Sequence, residues 1–227
     1  MLSIDRIDKQ VLRTDPYEWA FLEGLFSPAD AASLASSFPR DKFKEVRGYD
    51  GEKGYVYVCR SLIHMGAREA SFPDGLSPSW RQLAADLLSP AYRAAMTRLT
   101  GRDLSTTLLE VNVVHYGSGA WLGPHVDLKE KLTTHVFYFN ETWDRTNGGC
   151  LGILRSSDST DIAEEINPIV GSSAVIVRSD KSWHCVSRVA DGCRLSRRSM
   201  NVIFHQRGAV STMWPPSDTP VLADFHG

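Results

Sequence analysis

The chain has 227 residues, of which 42% are hydrophobic and 23% charged, and its formal net charge is −2. These values are typical of an ordinary globular protein and give no overall positive charge to attract nucleic acid or an anionic membrane. The N-terminus has no apolar signal sequence, and no later apolar run reaches the roughly 18 residues of a membrane span. The four cysteines form no CxxC pair. We therefore expect a cytoplasmic protein with reduced thiols, with a zinc or disulfide pair of Cys185 and Cys193 as the alternative.

Three Ser-Pro pairs predict where helices begin in the first half of the chain. In each pair the serine is a suitable N-cap and the proline a suitable first helical residue. The pairs are Ser27-Pro28, Ser77-Pro78 and Ser89-Pro90, and Gly101 is the expected end of the last helix. Apolar residues follow the pairs at helical spacing, which predicts helices that pack one face against a sheet.

The rest of the N-terminal half gives weaker signals. Residues 1–26 predict a first strand and a lead-in. Residues 47–54 are turn-rich and charged, and residues 55–59 (YVYVC) are β-like, so together they predict a hairpin or flap beside the core. The sequence from there to Pro78 predicts a loop.

From Thr106 onward the hydrophobic pattern becomes β-like. Short runs follow one another, each bounded by Gly, Asn, Asp or Ser: TLLEVNVVHY, LGPHVDL, LTTHVFYF, CLGILR, SAVIVR, WHCVSRV and RSMNVIFH. With residues 55–59 or a strand near Ile162 they give about the eight strands of a jelly roll.

The predicted fold is therefore mainly β with flanking helices, built on a double-stranded β-helix (jelly roll, cupin-like) core. We expect a single domain in three parts: an N-terminal helical cover and flap at 1–105, the jelly-roll core at 106–206, and a C-terminal tail at 207–227.

The most informative stretch for chemistry is HYGSGAWLGPHVDL, residues 115–128. His125 and Asp127 are separated by one residue, so on a strand both side chains would project from the same face. An imidazole beside a carboxylate suits a divalent first-row metal, and non-haem iron commonly uses two histidines and one carboxylate.

A third ligand must come from another histidine. His64 lies in the N-terminal loop, His226 in the tail, and His135 in a hydrophobic strand, where a packed histidine is expected. His184 follows a predicted strand and a polar turn, and in a jelly roll a late strand of the same sheet would face the strand of His125. We therefore predict His184 as the third ligand.

Three arginines lie at the start of the last predicted strand: Arg194, Arg197 and Arg198. Arginine binds carboxylates with two parallel hydrogen bonds. One of the three pointing into the barrel behind a metal would hold an acidic co-substrate, and the others would belong to a solvated basic turn.

These motifs, in this order, resemble the iron(II)/2-oxoglutarate-dependent dioxygenases, and locally their prolyl-4-hydroxylase-like branch. Tyr116 and Gly119 ahead of HVD match that branch's Y..G....H.D pattern. Residues 134–154 resemble its YLN..w...GG.L stretch, and Pro168 with Gly171 resembles its P..G before the distal histidine. The resemblance covers roughly residues 107–206.

The resemblance implies that His125, Asp127 and His184 bind Fe(II), with 2-oxoglutarate and O2 as co-substrates. Family members often place the basic residue that binds 2-oxoglutarate eight positions before a histidine that ends the strand. Because His205 ends this strand, that spacing implies Arg197, with Arg198 and Arg194 still open. Two further contacts to the co-substrate are implied: Ser199, which completes an R-x-S pair, and Tyr116.

The implied activity is hydroxylation of an unactivated C–H bond, with release of succinate and CO2. Related halogenases have a small residue where Asp127 stands, which argues against halogenation, whereas desaturation, epoxidation and ring closure use the same ligands as hydroxylation. The absence of a recognisable peptide-binding module favours a small molecule, such as an amino acid or biosynthetic intermediate, and a protein or peptidyl (prolyl-type) hydroxylase is the alternative. The competing classes are a non-catalytic cupin-like metal or ligand binder and another metal enzyme on this scaffold.

The sequence also offers candidate contacts for the primary substrate. Most come from the predicted flap, whose aromatic and basic residues would lie beside the core, and one precedes the HVD motif. They are Arg47, Tyr55, Tyr57, Arg60 and Trp121.

Overall fold

The computed structural model describes residues 1–49 and 54–225, and strands dominate it. The helices are α1 (Ile4–Asp8), α2 (Pro28–Ser36), α3 (Pro78–Leu88) and α4 (Pro90–Thr100). The strands are β1 (Trp19–Leu22), β2 (Lys44–Tyr49), β3 (Gly54–Ile63), β4 (Leu108–Tyr116), β5 (Trp121–His125), β6 (Lys131–Tyr138), β7 (Leu151–Leu154), β8 (Ile162–Ile166), β9 (Ser173–Val177), β10 (His184–Val186) and β11 (Arg197–His205).

The strands form one curled sheet in the order β1-β9-β6-β11-β4-β3-β5-β10-β7-β8, with β2 paired to β3. All pairings are antiparallel. Strand β3 connects the two parts of the curled sheet. Its residues from Val58 onward pair with β4, whereas Tyr55 and Val56 pair with β5. This arrangement is the predicted jelly roll.

The helices begin where the Ser-Pro pairs predict. Ser27, Ser77 and Ser89 each accept a hydrogen bond from the backbone N–H three residues later, and a proline follows each as the first helical residue. Gly101 ends α4 with a φ of +64°, which glycine adopts without a steric penalty. The buried faces of α3 and α4 pack on the outer face of the sheet, where they meet residues of β6 and β11 in one cluster that includes Trp80, Leu83, Leu87, Tyr92, Met96, Phe137, Val202 and Phe204.

Three features differ from the sequence prediction. The predicted first strand and hairpin are present as β1 and as β2 with β3, but the hairpin is not a flap beside the core, since β3 lies between β4 and β5 in the sheet. The short helix α1 was not predicted, because five residues are too few to show a helical period. The strand predicted for LGPHVDL ends at His125, so Asp127 lies just beyond it.

The remaining expectations concern the cysteines, membrane-spanning helices, the predicted flap and His226. All four cysteines are free thiols, which excludes a disulfide between Cys185 and Cys193. In the described part of the chain, no helix combines the length and apolar character needed to cross a membrane. His226 and residues 50–53 of the predicted flap lie outside the described residues.

Candidate metal and co-substrate site

Two histidines and one aspartate converge inside the barrel. His125, Asp127 and His184 each offer a ligand atom, and these atoms all lie within 4.8 Å of one another. His125 and His184 are direct cross-strand partners on β5 and β10, with ring centroids 4.2 Å apart. Strand pairing therefore brings the two histidines together, and the turn after β5 adds Asp127, so the three residues that the sequence predicted as ligands meet.

Backbone carbonyls orient both imidazoles. Nδ1 of His125 lies 3.0 Å from the carbonyl oxygen of Gly123, and Nδ1 of His184 lies 2.9 Å from that of Ser182. A carbonyl oxygen only accepts hydrogen bonds, so in both rings Nδ1 carries the proton and Nε2 is the atom that could bind a metal. Such a hydrogen bond on the second ring nitrogen is typical of metal-binding histidines.

The Asp127 carboxylate is buried and held by two donors. Lys131 Nζ donates to one oxygen and Thr134 Oγ1 to the other, each at 2.8 Å. Burial opposes ionisation, but Lys131 and the two histidines outweigh it and hold the pKa of Asp127 well below its usual value. The group is therefore an anion at neutral pH, as a metal ligand must be. The donor set of two imidazoles and one carboxylate fits a non-haem Fe(II) site.

Arg197 is a buried cation in the same barrel. Its side chain is 2% exposed, donates to Ser199 Oγ at 2.6 Å, and lies over the rings of Tyr116 and Tyr138 at 4.8 and 5.4 Å from the centroids. Its Nε and the hydroxyl of Tyr138 have no hydrogen-bond partner. Among residues 1–49 and 54–225, no carboxylate forms an ion pair with Arg197. A buried cation with unused donors is costly unless a ligand supplies the counter-charge.

The other two arginines do not face the barrel interior. Arg198 is one residue further along β11, and its side chain therefore emerges on the opposite face, where Nη1 donates to the carbonyl of Ala35 in α2 at 3.3 Å. Arg194 is exposed in the turn before the strand. The prediction of Arg198 as a co-substrate contact is therefore wrong on geometric grounds.

One cavity of about 110 Å³ joins the metal-ligand set to Arg197. Its lining includes all three predicted ligands, Tyr116, Arg197, Thr134 and Lys131. A single water molecule needs roughly 10–15 Å³ of such space, so the cavity has room for a small organic acid. A larger surface groove of about 540 Å³ runs beside β1 and β8, but its lining includes neither the metal-ligand set nor Arg197.

The predicted substrate contacts have mixed outcomes. Tyr57 lines the cavity, and Tyr55 and Trp121 are outside its lining. Arg60 is fully buried on the other face of β3, where it donates to the carbonyl oxygens of Asp41 and Phe72. Arg60 is thus wrongly predicted, because residues three apart on a strand cannot share a face. Arg47 is exposed and pairs with Glu45.

The other histidines lie away from the ligand set. His135 is confirmed as a packed histidine, since its ring nitrogens lie 3.0 Å from the Tyr92 hydroxyl and 2.8 Å from Ser173 Oγ. His64 is exposed beside Trp214.

The sequence did not indicate Thr134 and Lys131, which line the cavity, or Tyr138, whose ring contacts the Arg197 guanidinium. Thr134 and Tyr138 share the inner face of β6, so strand alternation within LTTHVFYF would have indicated them as a pair. Nothing local predicts Lys131, whose contact with Asp127 depends on the turn between β5 and β6.

Comparison with known proteins agrees with this geometry. Residues 111–205 match the family model of the 2OG-Fe(II) oxygenase superfamily. The chain contains a 2OG-Fe(II) oxygenase domain of prolyl-4-hydroxylase-like fold. It is an oxidoreductase of the dioxygenase class, whose family uses Fe(II), 2-oxoglutarate and O2.

The structural neighbours are distant in sequence. A prolyl-4-hydroxylase from Pseudomonas putida is 17% identical, with a TM-score of 0.59 over 90% of this chain and 99% of its own. A prolyl hydroxylase from Trichoplax adhaerens, solved with a hypoxia inducible factor peptide, is 14% identical, with a TM-score of 0.56 over 89% of each chain. SnoN, a non-heme alpha ketoglutarate dependent epimerase from nogalamycin biosynthesis, is 12% identical, with a TM-score of 0.55 over 99% of this chain and 93% of its own. No curated protein matches the sequence significantly.

Proposed function

We propose that the protein hydroxylates an unactivated C–H bond of a small molecule, an amino acid or a biosynthetic intermediate, with 2-oxoglutarate as co-substrate. In this proposal His125, Asp127 and His184 hold Fe(II), and Arg197 holds the distal carboxylate of 2-oxoglutarate. The whole chain acts as one catalytic domain, because strands from the segment 1–105 complete the sheet that carries these residues.

The observation that carries the proposal is the environment of Arg197. Its guanidinium is buried in the cavity of the three ligands, with an unused Nε and no ion-pair partner among the described residues. A carboxylate that enters from this cavity would satisfy that donor and also accept from the Tyr138 hydroxyl. Arg198 also has an unused Nε, so what distinguishes Arg197 is that its guanidinium is 2% exposed and lines the cavity of the three ligands.

The protein's own groups have distinct parts in the proposed reaction. When bound, Fe(II) and 2-oxoglutarate supply the oxidising chemistry, in which O2 is consumed and succinate and CO2 are released. Lys131 and Thr134 hold Asp127 in a single orientation as an anion. Burial raises the pKa of Tyr116 to about 12, so its hydroxyl is a neutral donor available to the co-substrate. The barrel walls around the cavity limit the access of bulk water to the reacting atoms.

A small substrate is favoured by the size of the cavity, about 110 Å³, which 2-oxoglutarate itself must share. A peptidyl substrate is the second candidate, since two of the neighbours described above are prolyl hydroxylases, one of them solved with a peptide. The epimerase among the neighbours comes from a biosynthetic route, and this neighbour favours the small-molecule candidate. Proline-containing peptides therefore belong in any substrate screen.

The first experiment is anaerobic addition of Fe(II) and 2-oxoglutarate to the purified protein. We expect the weak visible metal-to-ligand charge-transfer band of the chelate, and we expect His184→Ala to abolish it. If iron binds but no band forms, the protein does not bind 2-oxoglutarate at its metal and the cupin-like metal binder is the better description. Once the band is observed, amino acids, biosynthetic intermediates and proline peptides can be compared by the succinate release that each stimulates.

A further inference from the structure

The C-terminal segment closes one end of the cavity. We call residues 206–225 the strap. Two side chains on the inner face of β4 hold it: Ser211 Oγ donates to Glu110, and Trp214 Nε1 donates to Asn112 Oδ1 at 2.7 Å. The middle of the strap is therefore attached to the barrel interior, whereas Phe225 near its end stacks on His115 on the outer face of β4.

The strap lies at the end of the barrel opposite Arg197. On the paired strands β4 and β11, Arg197 is opposite Tyr116, whereas Ile203 is opposite Glu110. Six residues separate these two positions of β4, which is about 20 Å at roughly 3.3 Å per residue. The co-substrate therefore belongs at the Tyr116 end, and the space at the Glu110 end remains for the primary substrate.

The metal-ligand set is close to the strap end. Thr134, which donates to Asp127, is directly opposite Ile203 on β11. A substrate that lies between the ligands and the strap would therefore be near the iron, on the side away from Arg197.

Two strap residues contribute to the cavity wall: Thr212 and Met213. Met213 is half-buried and packs against the cluster that contains Cys59, Val114 and Tyr116. Lys44 fixes the backbone here, since its ammonium donates to the carbonyl oxygen of Met213 and lies 4.4 Å from the centroid of the Trp214 ring. The position of the Met213 backbone is thus set by contacts outside the cavity.

Glu110 also lines this end, but its oxygens are already used. One accepts from Ser211 and the other lies 3.0 Å from Nε2 of His205. Glu110 therefore serves to attach the strap, and the side chain there without such a fixed partner is the flexible, apolar one of Met213.

We propose that Met213 forms the substrate-side wall of the cavity and sets the size of the apolar part of the substrate. The inference rests on the proposed oxygenase function. It assigns to the strap, which lies outside the matched region 111–205, the selection among small substrates.

The first test compares Met213→Ala with Met65→Ala. Met65 is a matched control, because it is also a half-buried methionine that lies close to the strap but lines a different groove. Succinate release is measured with free amino acids of increasing side-chain length. We expect Met213→Ala to shift the preference towards longer side chains, by about tenfold per methylene group, and Met65→Ala to behave as wild type. An unchanged order of preference in Met213→Ala, or the same shift in Met65→Ala, would overturn the inference.

A second test needs no substrate. The protein is incubated with Fe(II), 2-oxoglutarate and O2 alone, and its methionines are examined by peptide mass spectrometry. One oxygen atom of O2 enters succinate as CO2 is lost from 2-oxoglutarate, and the other is available to convert the nearest thioether to a sulfoxide. We expect oxidation of Met213 and not of Met65, and neither when 2-oxoglutarate is omitted.

The two proposals fail in different ways. Consumption of 2-oxoglutarate with Met213 unmodified would refute the placement of Met213 while leaving the oxygenase function intact. Absence of the charge-transfer band in the unsubstituted protein would instead refute the oxygenase function.

Discussion

Replacement of Arg197 by methionine tests whether this cation binds the co-substrate or only stabilises the fold. Methionine has a similar length and no charge, so it fills the space beneath Tyr116 and Tyr138 while removing every donor. The matched control is Arg198→Met, because Arg198 is the next residue on β11 but contacts α2 on the opposite face.

The expected loss of 2-oxoglutarate affinity follows from the donors involved. A hydrogen bond to a charged group contributes about 1.5–3 kcal/mol, and a carboxylate bound by a guanidinium accepts two. The loss of both therefore costs about 3 kcal/mol or more, which is at least about 100-fold in dissociation constant. Arg198→Met should leave the affinity unchanged within a factor of about two, since its side chain lies outside the cavity.

By contrast, Arg197→Met should not reduce the stability of the protein without ligands. Arg197 is buried without an ion-pair partner among the described residues, so its desolvation is poorly compensated. We expect Arg197→Met to keep the free energy of unfolding or to raise it by about 1 kcal/mol or more.

Two assays test this pair of expectations. Anaerobic titration of the charge-transfer band gives the dissociation constant of 2-oxoglutarate, and urea unfolding of the apoprotein gives the stability. Wild-type affinity in Arg197→Met, or an equal loss in Arg198→Met, would refute the assignment. A large loss of stability in Arg197→Met would show that the guanidinium is structural.

Three further outcomes are expected. Tyr138→Phe removes one hydroxyl donor and should weaken 2-oxoglutarate binding about three- to tenfold in the same titration, whereas unchanged binding would exclude this hydroxyl as a contact. Burial lowers the pKa of His135 to about 3, so the unfolded chain binds a proton below about pH 6.5 before the native one does. The free energy of unfolding should therefore decrease as the pH is lowered, and this group should contribute about 2 kcal/mol of the decrease between pH 7 and 5 in urea unfolding curves. An equally steep loss in His135→Gln would contradict that account. Ser89→Ala should cost about 1 kcal/mol of stability in urea unfolding through the lost N-cap of α4, with exposed Ser157→Ala as the reference.

The sequence by itself determined the elements whose causes are local. Ser77 and Ser89 cap helices because a serine hydroxyl and the following proline act within a single turn. The β-like runs after Thr106 became strands because their alternation and bounding turn residues are local as well. His125 and Asp127 could be paired in advance, since they are two residues apart, and His184 followed from the order of motifs.

Tertiary structure alone decided which neighbouring side chains face the cavity. Arg197 and Arg198 are adjacent, and a shift of one residue in β11 would exchange them; the pairing of Arg197 with Tyr116 fixes the choice. The same dependence on strand register turned Arg60 away from the cavity while Tyr57 lines it. Lys131 reaches the cavity because of the turn between β5 and β6. Met213 reaches it because the C-terminal strap returns to the barrel. Their roles depend on contacts between residues distant in sequence, such as Ser211 with Glu110, and no local pattern records such contacts.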